Sequence, residues 1–185
     1  MQKKILIIGR TGTGKTTLAK GAAQKLGLSL LKSYCTRPPR LGEVDPDHIF
    51  ISPDKVENYR NRMIAYTDRV DEYERFATVD QLRDSDLYII DPIGLKYLQS
   101  LDFPEFEKMK LIRIYIRVPY MTNIKRLKER DDDTRTFIQR FENENGQFAE
   151  YEKSGDWDYH ILNVHSVDEG IEDLCKIIQK ELNIE

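Results

Sequence analysis

Ile5-Leu6-Ile7-Ile8 runs directly into Gly9-Arg10-Thr11-Gly12-Thr13-Gly14-Lys15-Thr16, and few folds satisfy both halves of that junction. A short apolar run, rich in β-branched residues and stopped by glycine, reads as a strand buried on both faces. The eight residues after it satisfy G-x-x-x-x-G-K-[ST] in full. Glycines let the backbone curl around an anion without Cβ clashes, so that successive N–H groups aim inward. A helix opening at Lys15 adds its partial positive end. In this pattern Lys15 reaches the β- and γ-phosphates of a nucleoside triphosphate such as ATP, and Thr16 places its hydroxyl on Mg²⁺. Thr17, next in the chain, belongs to the same expected contact. The alternative, a glycine-rich strand-to-helix turn with no ligand, explains the glycines but not the Lys-Thr pair.

The rest of the chain alternates between the two periodicities. The spacing predicts a helix over 15–26 ended by Gly27, and a strand over 28–34. Pro38, Pro39, Pro46 and Pro53 with Gly42 exclude a continuous helix from 37 to 53. A helical piece over 53–61 follows, with Ser52 as N-cap, then short strands within 63–76. Apolar runs at 87–90, ending at Asp91, and at 111–116 read as buried strands, and Pro119 opens a helix. A long polar helix is expected over 134–153 with Phe137, Phe141 and Phe148 as its apolar stripe. A strand over 159–162 and a helix over 167–182 close the chain. The order implies one α/β domain: a P-loop NTPase three-layer α/β/α arrangement around a central parallel sheet.

Composition narrows the ligand. Charged residues are 33% of the chain, yet the net charge is -3, so nothing draws it as a whole to nucleic acid or to an anionic membrane. A polyanion must be held by a local cluster of donors, which suits a small phosphorylated molecule. Cys35 and Cys175 have no metal-ligand spacing and read as free thiols, and His48, His160 and His165 form no metal pattern. The apolar run at 5–8 is too short for a membrane span or a signal-peptide core, so a cytoplasmic location is expected. Nothing in the pattern bears on oligomeric state.

A second anion site is suggested by Ser33-Tyr34-Cys35-Thr36-Arg37-Pro38-Pro39-Arg40-Leu41-Gly42-Glu43-Val44. Its two arginines are held by prolines beside small hydroxyl residues, and an arginine fork binds phosphate oxygens in pairs. Alone, the segment could equally be a solvated basic loop. With the phosphate loop upstream, it resembles the guanylate kinase family, whose Ser-x-x-Thr-Arg-x-Pro-Arg-x-Gly-Glu stretch grips an acceptor monophosphate. His48-Ile49-Phe50-Ile51-Ser52 resembles the family's Tyr-x-Phe-x-Ser piece, and Ile89-Ile90-Asp91 its strand ending in aspartate. Lys125-Arg126-Leu127 through Arg130, and Ile138-Gln139-Arg140, resemble its lid.

The resemblance implies an acceptor-binding region over about 33–85, a lid over about 125–155, and a core formed by the remainder. It implies acceptor contacts from Ser33, Arg37, Arg40, His48 and Thr78, with Tyr73 or Phe76 near the family's phosphate-binding tyrosine. Asp91 would face both ligands, or merely cap the turn that follows. Arg130 and Arg140 match lid arginines able to bridge donor and acceptor phosphates. Arg126, one turn before Arg130, is expected on the nucleotide, and Arg135 shares the segment; an exposed, ion-paired helix is the plain alternative. The family's base-reading glutamate aligns with Ala65 and a second base-reading carboxylate with Ile93. Guanosine monophosphate is therefore not assigned as the acceptor, and a relaxed or altered base preference is expected, since apolar groups cannot supply the acceptors that pair with guanine.

The expected reaction is ATP-dependent phosphoryl transfer to a nucleoside monophosphate, with Mg²⁺. A phosphorylated ribose as acceptor and a non-catalytic nucleotide-binding module are the alternatives. Asp91-Pro92-Ile93-Gly94 fits the D-x-x-G of regulatory GTPases, but the chain has no N-K-x-D.

Overall fold

The computed structural model describes residues 1–39, 47–70, 73–128 and 134–184, with backbone alone for 68–70, 127–128, 134–141 and 143. Two four-stranded sheets organise these residues. The first is wholly parallel, in the order β6-β1-β7-β8, from β1 (Gln2–Ile8), β6 (Leu87–Ile89), β7 (Met109–Arg117) and β8 (Tyr159–Leu162). β1 lies at its centre, paired with β7 from Gln2 to Ile8 and with β6 from Ile5 to Ile7.

β1 is apolar throughout because each face meets a different layer. Ile5 and Ile7 pack with Leu18, Ala19 and Ala22 of α1 (Lys15–Leu26) and with Leu174 and Ile178 of α6 (Val167–Leu182). Leu6 and Ile8 turn the other way, onto Leu95 and Leu98 of α3 (Pro92–Gln99) and Phe148 and Tyr151 of α5 (Thr134–Ser154). This is the three-layer α/β/α arrangement expected of the strand–helix alternation. α6 begins with a reciprocal cap: Ser166 Oγ accepts from the Glu169 N–H, and the Glu169 carboxylate accepts from the Ser166 N–H. α1 and α6 run as the spacing predicts, and α4 (Tyr120–Lys128) follows Pro119.

The expected strand over 28–34 is divided. Leu30 makes a single parallel bridge to Leu87 at the outer edge of β6. The chain then leaves for a second, mixed sheet ordered β3-β2-β5-β4: β2 (Ser33–Cys35), β3 (His48–Phe50), β4 (Met63–Val70) and β5 (Tyr73–Thr78). β2 and β3 are parallel, and β5 is antiparallel to both β2 and β4. The division follows from packing: Tyr34 belongs to a separate small core with Val56, Met63, Phe76 and Tyr59. Its rings stand 4.6 to 5.6 Å apart. The helical piece after Ser52 is a 3₁₀ helix, Pro53–Arg62; Ser52 caps no backbone N–H there and bonds the Asp54 carboxylate instead. Phe148 is buried as expected of the α5 stripe, whereas the side chains of Phe137 and Phe141 lie outside the described residues. No helix among the described residues is long and apolar enough to cross a membrane.

Candidate active site

Between β1 and α1 the chain forms a closed loop held by its own side chains. A Cβ at Gly9 would stand 2.5 Å from the Ile116 carbonyl oxygen, so only glycine lets the strand leave the sheet this close to β7. Thr13 Oγ1 and Lys15 Nζ both donate to the Arg10 carbonyl, at 2.8 and 3.1 Å. Gly14, at φ 86°, starts α1 with no side-chain cap, and the first turn carries no acid. The first N–H groups of α1 are thereby left to an anion.

Partners distant in sequence fix the loop from outside. The buried Asn163, just past β8, donates to the Thr13 carbonyl at 2.8 Å and would collide with any side chain at Gly14. Arg126 of α4 stands beside the same point, its Nη1 3.9 Å from where a Gly14 Cβ would be. Arg10 turns away from the loop's concave side: it pairs with Glu152 at 3.0 Å, bonds Asn145 at 2.8 Å and lies over the Phe148 ring. Thr17 is exposed, whereas Thr16 faces the cleft.

A cleft of about 720 Å³ joins this loop to the second sheet. Gly9, Thr11, Lys15, Thr16, Ser33, Arg37, His48 and Asp91 all line it. Strand register explains the far wall. Tyr34 lies opposite Phe76 on the aromatic face, so Ser33, His48, Thr67 and Arg75 project from the other face, toward the cleft. Ser33 Oγ and His48 Nδ1 are 2.9 Å apart, and Arg37 lies over the Phe50 ring while bonding the Pro38 carbonyl.

Asp91 combines the two roles considered for it. It follows β6, beside the phosphate loop, and lines the cleft while its Oδ1 accepts from the Gly94 N–H at 2.7 Å as the cap of α3. Burial pushes its pKa up; the Gly94 bond and nearby Lys15 oppose the shift, and Glu144 reinforces it.

Several expected contacts are corrected. Phe76 is fully buried in the aromatic core, on the wrong face of its strand to meet a ligand in the cleft. Tyr73 sits at the far end of β5, paired with Val70, and does not line the cleft. Thr78 is buried and caps α2 (Val79–Asp84), its Oγ1 accepting from the Gln81 N–H. Ala65 is buried in β4 at φ 51° against Gly94, and Ile93 is 47% exposed; neither reaches the cleft, which Ile89 and Ile90 line. Arg40 and Arg130 lie outside the described residues, as do the side chains of Arg135 and Arg140.

Sequence reading missed Glu144. Its carboxylate accepts from both the N–H (2.8 Å) and the hydroxyl of Thr11, binding α5 to the phosphate loop. The signal available was only that Glu144, Gln147 and Phe148 share one face of a helix, and all three line the cleft. Among the described residues no group of three or more His, Cys, Asp or Glu could hold a metal. Thr16 and Asp91 nevertheless bring hard oxygen donors to one cleft. That set suits Mg²⁺, which takes one or two protein oxygens and completes its shell from phosphates and water.

No curated protein matches the chain by sequence. Among solved structures, guanylate kinase from Anaplasma phagocytophilum superposes with a TM-score of 0.66 at 15% identity, over 98% of this chain and 86% of that one. A sugar kinase from a Janibacter species gives 0.56 at 15% identity, over 99% and 98%. These likenesses show a shared fold. The guanylate kinase family model matches residues 1–181, nearly the whole chain and both walls of the cleft, and the chain belongs to that family.

Proposed function

We propose that this chain is an ATP-dependent nucleoside-monophosphate kinase of guanylate kinase type with relaxed or altered base specificity. The observation that carries the reading is the shared cleft: Lys15 and Thr16 line one side, Ser33, Arg37 and His48 another, with Asp91 in the same lining. A triphosphate-binding module alone has no use for the second cationic wall.

Transfer between phosphates needs little acid–base help, because the attacking oxygen is already ionised. That oxygen bonds to the γ-phosphorus as the bond to the β-phosphate bridging oxygen breaks, giving ADP and a diphosphate. Lys15 neutralises charge on the transferring group, and the α1 N–H groups hold the donor phosphates. Thr16, with Asp91 through water, would hold Mg²⁺, which when bound offsets phosphate charge. Ser33, Arg37, Arg40 and His48 align the acceptor, within an acceptor-binding region over about 33–85. Arg126, Arg130 and Arg140, from a lid over about 125–155, close over the phosphates and exclude water.

A coupled assay over a panel of nucleoside monophosphates, with ATP and Mg²⁺, tests the reading. Turnover of at least one is expected, together with its loss by about 10²–10³-fold or more in Lys15→Ala; no turnover of any rejects it. A second reading takes a phosphorylated sugar as acceptor, whose phosphate the same wall of Ser33, Arg37 and His48 would hold. Adding ribose phosphates to the panel separates the two.

A further inference from the structure

Arg75 occupies a position that nothing in the sequence reading assigned. It sits on β5, an inner strand of the second sheet, with Cys35 of β2 opposite it on one side and Thr67 of β4 on the other. Its neighbour Phe76 points into the aromatic core, so the pleat turns Arg75 to the opposite face. There it lines the cleft with Thr67, Ser33, His48 and Arg37. Thr67, in β4, is itself buried. The chain as a whole is acidic, at -3, yet the described cleft lining carries Lys15, Lys20, Lys32, Arg37 and Arg75 against three carboxylates, Asp47, Asp91 and Glu144.

We propose that Arg75 is a direct ligand of the acceptor's phosphoryl group, acting with Arg37 and the Ser33–His48 pair. The acceptor is thereby selected chiefly by its phosphate dianion. Of the aromatic candidates for that contact, Phe76 faces the other way, and Tyr73, two residues before Arg75 at the end of the strand, does not line the cleft; Arg75 stands between them and lines it. The guanidinium offers two parallel N–H groups to two phosphate oxygens, a geometry that neither a phenol nor an ammonium reproduces. The proposal rests on the kinase reading for the identity of the ligand, but not for the presence of an anion site.

Arg75→Ala and Arg75→Gln, with Arg75→Lys as the conservative change, test it. In steady-state assays with the best monophosphate, the alanine and glutamine variants should raise acceptor KM by about ten- to a hundredfold. The affinity for a non-hydrolysable ATP analogue should stay within about twofold of wild type. The lysine variant should fall between, because it restores charge without the fork. Separately, inorganic phosphate should raise the melting temperature of the wild-type, analogue-bound protein and should fail to do so for Arg75→Gln. Unchanged acceptor KM, or phosphate protection that survives in Arg75→Gln, overturns the proposal. So does equal loss of ATP-analogue and acceptor binding, which marks a structural role. Should no monophosphate be turned over, the kinase reading fails, and phosphate protection still decides whether Arg75 holds an anion. If Arg75→Ala does not fold, Arg75→Gln and Arg75→Lys carry both measurements.

Discussion

The two walls of the cleft are built on different physical terms. The donor wall is an extension of the main sheet: β1 is buried from Lys4 to Ile8 and continues into a loop tied by Thr13, Lys15 and Asn163. The acceptor wall belongs to a mixed sheet whose own core is small, with Val56, Met63 and Phe76 buried and tyrosines around them. Its cleft-facing side chains are placed by register, through strands as short as Ser33–Cys35 and His48–Phe50, and Ser33 and His48 brace each other. The donor site is thus preorganised by many long-range contacts, while the acceptor site depends on a few rings behind it.

Phe76→Ala attacks that difference most directly. Removing a fully buried phenyl group should cost about 3–5 kcal/mol, and the loss should be local to the mixed sheet. Hydrogen exchange should quicken in β2 and β5 while the amides of β1 keep their protection; uniform loss across both sheets would show that the walls are one cooperative unit.

Asp91→Asn is expected to lower turnover by roughly 10²-fold while keeping the cap of α3, since asparagine caps as well as aspartate. It should also stabilise the protein at neutral pH. Burial raises the Asp91 pKa above its unfolded value, so the folded state holds the proton more tightly. Stability contributed by this group is present below the unfolded pKa and is lost as pH rises through the folded value. Thermal melts from acid to neutral pH should show wild type losing ground to the variant; parallel curves would deny the shift.

Glu144→Gln probes the contact between α5 and the phosphate loop. The carboxylate holds Thr11 where negative phosphate oxygens are expected, so neutralising it removes a like charge from the triphosphate's surroundings. Affinity for ATP should rise by about three- to tenfold, worth roughly 1 kcal/mol; a fall would mean that Glu144 organises the loop for the nucleotide. The smallest effect is expected at Ala65, whose φ of 51° is a left-handed strain. Ala65→Gly relieves about 1–2 kcal/mol of it but gives up a buried methyl group worth about 0.8 kcal/mol and some backbone entropy. Chemical denaturation should therefore place the variant within about 1 kcal/mol of wild type. A larger loss would make Ala65's packing against Gly94 matter more than its backbone.

How far the sequence could be read follows the same division. The helices Lys15–Leu26 and Val167–Leu182 and the strand Tyr159–Leu162 were legible to the residue, because caps and apolar periodicity act within a few positions. The strand expected over 28–34 was not, since a local pattern of apolar residues cannot say that Leu30 joins one sheet and Tyr34 another. Ser33, Arg37, His48 and Asp91 were reachable through motif and resemblance. Arg75 and Glu144 carry no local mark; one depends on which way a strand's pleat faces, the other on where a distant helix docks.

By itself, then, the sequence determined the phosphate loop. Its glycines, lysine and threonine act through backbone geometry and charge confined to eight consecutive residues, and a strand on one side with a helix on the other suffices to aim them. Tertiary structure alone decided what stands across from that loop. Pairing Tyr34 with Phe76 commits one face of the mixed sheet to an aromatic core and turns Ser33, His48, Thr67 and Arg75 to the other. Since strand side chains alternate with period two, a shift of one residue in that register would have buried those polar groups and presented the rings to the cleft.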